Sequence, residues 1–243
     1  MGRLLAIGDI HGNFKSLKSA WDASNIQDDD IVVFLGDYTD RGDENIKVMK
    51  FMIDIAERPN TYLLMGNHEQ MMLDNISAVL GDESINALTP EMLDRLSIGV
   101  NVEWNFNGGD ATIKEAKENM DLFTDYVSMI VDKSNLFHNH KYDGVRYLFV
   151  HAGIDPEVGL DKQTESSVLW IREQFLYNYH GDLPIVVGHT PVQFCTGDNK
   201  PVISHNIYMC DTGSYMPGGC VTIVDVGNRT YKSGVENPFI VHD

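Results

Sequence analysis

Five times within its first 190 residues this chain ends an apolar run at or beside a glycine and then places side chains able to hold a metal: GDIHG at 8–12, GDYTDRG at 36–42, GNHE at 66–69, HAG at 151–153 and GHT at 188–190. That recurrence constrains the fold more than any other feature. A short strand that stops on Asp, His or Asn puts that residue at a sheet edge. In open α/β sheets, the edge formed by the C-terminal strand ends is where ligands bind. The glycines let the chain turn off a strand with positive φ or with close backbone approach. Each cluster alone reads as a turn, and a single histidine beside a strand reads as a structural one. Five in this order predict one shared site.

The residues between the clusters supply the rest of the architecture. Apolar runs at 4–8, 31–36 and 62–65 alternate with helical periodicity. Phe14, Leu17 and Trp21 mark one helical face, and Ile46, Met49, Ile53 and Ala56 a second, which Pro59-Asn60 ends. A βαβαβ unit with a parallel sheet follows. Residues 71–135 read as mainly helical, and about 71–145 as a helical cap-like insertion over the site. From Val145 strands return in VRYLFVHAG, LPIVVGHT, IYMCDTG and CVTIVDV, which predict a second sheet. The acidic run Asp28-Asp29-Asp30 reads as a solvated turn. A chain of 243 residues is expected to form one domain, covering 1–243.

Composition bounds what such a site could take. With 36 acidic against 18 basic residues the net charge is −18, which repels a phosphate backbone and makes duplex nucleic acid a poor partner. A phosphorylated ligand is anionic too, so its site needs local positive charge, and divalent cations are the natural source. No apolar run of about 18 residues suggests a membrane span. MGRLLA reads neither as a secretory leader nor as an N-myristoylation signal. Cys195, Cys210 and Cys220 are odd in number and at no zinc-binding spacing, so they read as free thiols in a reducing, cytoplasmic setting.

The clustered side chains are carboxylates, an amide and imidazoles, donors suited to Mn²⁺, Fe or Zn²⁺. Their series GDxHG, GDxxDRG, GNHE, HAG and GH resembles the pattern of the phosphoprotein phosphatase family of calcineurin-like metallophosphoesterases. GDYTDRGDEN, GNHEQMM, the WxxNGG segment at 104–109, GHTP and DTG at 211–213 resemble its phage lambda-type serine/threonine phosphatase branch and bacterial relatives, over nearly the whole chain. The resemblance implies an α/β fold, a two-sheet β-sandwich with flanking helices in the order αββα, and two divalent metal ions, with Mn²⁺ the first expectation.

By the same resemblance Asp9 and His11 would bind the first metal, Asn67, His151 and His189 the second, and Asp37 would bridge both. Two cations about 3.5–4 Å apart would activate a bridging water for direct in-line attack on phosphorus. His68 would be the general acid and Asp40 would orient it. Arg41, and less directly Arg172, would bind the phosphate together with Asn67. No cysteine sits in a CxxxxxR loop, and the resemblance implies no covalent phosphoenzyme.

Departures from the eukaryotic members limit the carry-over: HAG stands for HGG, and DTGSYMPGG replaces SAPNYC. The expected substrate is a phosphorylated protein or small phosphoester, with serine and threonine phosphates first and tyrosine phosphate possible in addition. A symmetrical dinucleoside tetraphosphate hydrolase is the alternative, for which Trp104, Tyr38 or Trp170 could stack on a base; a non-catalytic phospho-ligand binder is a third reading. His205, Asn101 and Asp211 read as structural, with Asp211 closing a turn. Trp104, Asn107, Gly108 and Gly109 either line the substrate mouth or shape a loop. Oligomeric state is not readable from the sequence.

Overall fold

The structure, a computed structural model, describes residues 2–98, 102–204 and 206–238. In the N-terminal half β1 (Leu4–Ile7), β2 (Ile31–Phe34) and β3 (Thr61–Leu64) alternate with α1 (Phe14–Ser24) and α2 (Asn45–Ala56). Their side chains alternate as a strand buried on both faces requires. Leu5, Ile7, Val32, Phe34 and Leu63 point to the helices, whereas Leu4, Ala6, Val33, Leu35 and Leu64 point to the second sheet. Burial of each Val, Leu, Ile or Phe among them stabilises the fold by about 1.5–3 kcal/mol. Helix α1 starts where Asn13 Oδ1 accepts from the Ser16 amide at 3.1 Å, and it buries Leu17 and Ala20. Helix α2 is rotated from the expected face. Val48, Met49 and Met52 are its buried stripe, and Ile46, Ile53 and Ala56 lie beside it, partly covered.

The helical stretch comprises α3 (Asn67–Leu80), α4 (Pro90–Ile98), α5 (Val102–Trp104), a π turn at Asn105–Gly109, α6 (Asp110–Ala116) and α7 (Met120–Lys133). It packs Met72, Ile76, Leu93, Ile113, Phe123 and Val127 into the same core as the outer face of the first sheet. The helices stop at Lys133. β4 (Ser134–Asn135) and β5 (Phe137–Tyr142) follow, so the segment up to 145 is not helical throughout. Strand β5 had no clear signature because its sequence FHNHKY keeps only partial burial.

β6 (Val145–Val150) is followed by α8 (Glu165–Trp170), α9 (Glu173–Asn178), β7 (Ile185–Val187), β8 (Val202–Ser204), β9 (Ile207–Met209), β10 (Thr222–Asp225) and β11 (Thr230–Ser233). The second sheet has the order β5-β6-β7-β9-β8, with β6, β7 and β9 parallel. The first has the order β11-β10-β1-β2-β3-β4. CVTIVDV therefore belongs to the first sheet and not the second. As β10 it runs antiparallel to β1, pairing Ile7 with Ile223, and so satisfies backbone groups on the β1 edge that β2 leaves open. Tyr147, Phe149, Val186 and Tyr208 close the interface between the sheets, and Val168, Leu169 and Phe175 cover the far face of the second. The layers run helix, sheet, sheet, helix, which is the expected αββα fold class.

Candidate metal and phosphate site

Strands β1, β2 and β3 of one sheet and β6 and β7 of the other end side by side, and the five motifs follow those ends directly. The backbone there is unusual. His11, Asp37, Asp40, Arg41 and His189 all have positive φ, between 47° and 74°, a conformation that costs energy in non-glycine residues and concentrates at functional sites. Of the glycines beside them, Gly12 and Gly36 have positive φ as well, whereas Gly66 and Gly188 act through size. A Cβ on Gly66 would lie 2.2 Å from Asp37 Oδ1, and one on Gly188 2.3 Å from Asp9 Oδ1.

Asp37 is the centre. Its Oδ2 is 3.6 Å from His11 Nε2, its Oδ1 is 3.5 Å from His151 Nε2, and Asp9 Oδ2 is 4.0 Å from His11 Nε2. Asn67 Oδ1 stands 2.9 Å from both His151 Nε2 and His189 Nδ1. Each of these three imidazoles uses its other nitrogen on a backbone carbonyl: His11 Nδ1 with Thr39 at 3.1 Å, His151 Nδ1 with Leu35 at 2.7 Å, and His189 Nε2 with Trp170 at 3.3 Å. A proton donated to the carbonyl leaves the inward nitrogen with its lone pair. Burial lowers the pKa of all three, with His68 adding to the effect on His11 and His151 on His189, which favours the neutral form that a metal ligand needs. Lone pairs then face the oxygens of Asn67 and Asp37, an arrangement that a cation between them resolves.

The carboxylates carry the same message. Asp9, Asp37 and Asp211 are all buried. Burial, then the charges of Asp211 and Asp37, pushes Asp9 well up; burial likewise pushes Asp211 up to about 6. Burial would raise Asp37 as well, but the surrounding histidines outweigh it and hold it low. Among the described residues two groups of ligand atoms lie close enough to hold an ion, His11 with Asp37 and His68, and Asp37 with His151 and His189. The donor set fits two divalent cations sharing Asp37. Asp9 fits the first better than His68 does, because His68 Nδ1 is bonded to Asp40 at 2.7 Å and its Nε2 faces the Arg41 cation at 3.1 Å.

Asp40 is fixed from three sides. Its Oδ1 accepts from the Thr112 hydroxyl at 2.5 Å, and its Oδ2 from Trp104 Nε1 at 2.7 Å and from His68. Burial works to lower the His68 pKa; the Asp37 and Asp40 charges and the Asp40 hydrogen bond outweigh it and leave it raised. Arg41 donates from Nε to the Asn107 carbonyl at 3.3 Å and from its amide to that of Gly108 at 3.1 Å, while its guanidinium lies 4.0 Å from the Tyr215 ring centre. Arg172 lies at the break between α8 and α9. It donates to the His189 carbonyl at 2.9 Å and to Thr190 Oγ1 at 3.1 Å, so it is anchored to the site and not to a neighbouring acid. A cleft of about 320 Å³, lined by His11, Asn13, Arg41, Asp43 and Tyr215, opens beside the cluster.

The structure thus brings Asp9, His11, Asp37, Asp40, Arg41, Asn67, His68, His151 and His189 together, with Arg172 at the rim. Trp104 and Tyr38 are fully buried, so neither can stack on a base. Asn101 and His205 lie outside the described residues. Glu69 was given no role in the sequence reading, yet it accepts from the amides of Asp37 at 2.8 Å, Tyr38 at 2.9 Å and Gly66 at 3.0 Å. Its signal was the helix-capping position three residues after Gly66. Tyr215 carried no sequence signal toward Arg41.

The profile of the calcineurin-like phosphoesterase family matches residues 2–217. Among curated proteins, the asymmetrical bis(5'-nucleosyl)-tetraphosphatase PrpE of Halalkalibacterium halodurans is 25% identical, over 89% of this chain and 87% of its own length. Serine/threonine-protein phosphatase 2 of Salmonella typhimurium is 26% identical, over 87% of this chain and 88% of its own. Among solved structures, the cold-active protein-tyrosine phosphatase of a psychrophilic Shewanella species superposes with a TM-score of 0.57 at 17% identity, covering 97% of this chain and 81% of that one.

Proposed function

The chain belongs to the calcineurin-like phosphoesterase family, and from that premise we propose that it is a two-metal phosphomonoesterase acting on serine and threonine phosphates of proteins, with tyrosine phosphate as a further substrate. The observation that carries this reading is the turning of three imidazoles, each pinned through one nitrogen to a carbonyl, onto Asp37 and Asn67 beside the Asp40–His68–Arg41 group. Asp9 and His11 would hold one cation, Asn67, His151 and His189 the other, and Asp37 both. Mn²⁺ is the first choice of metal, with Fe or Zn²⁺ compatible with the same donors. Bound cations would supply the nucleophile at neutral pH and neutralise the phosphoryl oxygens.

The chain's own groups do the rest. Arg41, held by Asn107 and Tyr215, and Arg172, held by His189 and Thr190, bind the phosphate with Asn67. His68, oriented by Asp40, gives its proton to the leaving alkoxide. Free thiols at Cys195, Cys210 and Cys220 support a cytoplasmic setting.

The second reading is dinucleoside tetraphosphate hydrolysis. The PrpE relatives favour it, and their name specifies asymmetrical cleavage where the sequence reading considered the symmetrical kind. Burial of Tyr38 and Trp104 counts against it in part, since it leaves the partly covered Trp170 and Tyr215 as the aromatic rings beside the site that could stack on a base. Mn²⁺-dependent phosphate release from a phosphoserine peptide, run beside diadenosine tetraphosphate with Asp37→Asn as the blank, decides between them. Faster turnover of the peptide is expected; faster cleavage of the dinucleotide replaces the first reading with the second.

A further inference from the structure

Strand β9 ends beside the site, like β6 and β7, and the residues that follow it are Cys210 and Asp211. The chain here lies against β1: a Cβ on Gly8 would sit 2.2 Å from the Cys210 carbonyl oxygen and 3.1 Å from the Asp211 amide. Asp211 is 1% exposed. Its Oδ1 accepts from the Gly213 amide at 2.8 Å, which closes the DTG turn as the sequence suggested. Its Oδ2 is buried with no hydrogen-bond partner, and it is the one carboxylate oxygen so placed among the described residues. A turn needs only the first oxygen. Leaving a second one buried and unbonded costs about 1–3 kcal/mol, more when it is charged, so a purely structural account leaves half of this side chain unexplained. Asn in its place would serve the turn without the charge.

We propose that Asp211 is a positioning residue for the cation held by Asp9 and His11, its free Oδ2 accepting a hydrogen bond from that cation's hydration shell. The carboxylate acts on the first metal position because Asp211 follows the strand end that packs on Gly8, the residue before Asp9, whereas His151, His189 and Asn67 gather on the other side of Asp37. Its negative charge adds to those of Asp9 and Asp37, so that three buried carboxylates face two cations. This inference rests on the two-cation reading above and on no choice of substrate.

The test is calorimetric titration of Mn²⁺ into the metal-free full chain, wild type against Asp211→Asn and Asp211→Ser. Both substitutions keep an acceptor for the Gly213 amide and remove the carboxylate. One of the two binding steps should weaken about tenfold or more, as loss of an outer hydrogen-bond partner does at other metal sites, while the other step stays as in wild type. The metal-free Asp211→Asn protein should also melt higher, since a buried charge beside Asp9 is gone. Two wild-type binding steps that both variants retain unchanged overturn the assignment, and so does failure of both variants to fold, which would give the carboxylate to the turn. A wild-type chain that takes up no Mn²⁺ defeats the two-cation reading itself.

Discussion

At the N-terminal ends of β1 and β2, Asp30 is 2% exposed and accepts from the Arg3 amide at 2.7 Å, the Arg3 guanidinium and the Gln27 amide at 2.9 Å; Arg58 donates to its carbonyl at 3.1 Å. At the opposite ends of the same two strands, Asp9 and Asp37 are equally buried but, among the described residues, have no arginine bonded to them; they face histidine rings, and the charge of Asp37 acts on Asp9. The pKa values part accordingly. Burial would raise Asp30, but its bonds to Arg3 and Gln27 outweigh that and hold it below the ordinary carboxylate range, while Asp9 is pushed well above it. One end neutralises its acid with the chain's own cation and is finished as structure. The other gathers acids and imidazoles that would take their counter-charge from the proposed cations.

Substitutions at the two ends should therefore separate activity from stability. Asp37→Asn, which leaves both cations without their shared ligand, is expected to lower Mn²⁺-dependent phosphate release by about three orders of magnitude or more, because each ~1.4 kcal/mol of lost transition-state stabilisation is tenfold in rate. Steady-state kinetics on a phosphoserine peptide checks this, and a loss under tenfold breaks the comparison at its functional end. His68→Asn should cost about 10²–10⁴-fold with an alkyl leaving group and far less with p-nitrophenol, which departs without a proton. Equal losses on the two substrates would remove His68 as the acid.

Asp30→Ala should leave kcat/KM within about twofold and cost about 2–3 kcal/mol of stability in urea, the sum of its hydrogen bonds at roughly 1 kcal/mol each. A large loss of activity without loss of stability would make the structural end functional as well.

The smallest effect is in pH. Asp30 contributes fully above its ordinary value of 3.8, and that contribution is lost as the pH falls through its lower folded value. Asp211, at about 6 in the metal-free fold, keeps a proton that the unfolded chain releases near 3.8, so stability falls as the pH rises between those values. Urea midpoints in chelator from pH 3 to 7 should show the lower slope reduced by Asp30→Ala and the upper one by Asp211→Asn. Identical profiles for the two variants would contradict the opposite signs.

What the sequence disclosed follows from distance along the chain. The five motifs are local, since each strand end and its polar residues are neighbours in sequence; that is why the convergence of those residues on one site, the βαβαβ unit and a second sheet could be read from it. Asp30 could not, because its partner Arg3 is 27 residues away, and a run of three aspartates looks solvated until that partner is known. Trp104 and Thr112 meet Asp40 across 64 and 72 residues. Their segment was legible as a choice between mouth and loop, and packing decides it. CVTIVDV reads as a buried strand in either sheet, and only the unpaired edge of β1 assigns it.

On the proposed reading, the C-terminal strand ends hold two cations on one shared aspartate. Crystals grown with Mn²⁺, with data collected at the manganese absorption edge, test it most directly. Two anomalous peaks about 3.5–4 Å apart are predicted, one against Asp9 and His11, the other against Asn67, His151 and His189, and both against Asp37. A single peak, or peaks away from Asp37, would contradict it.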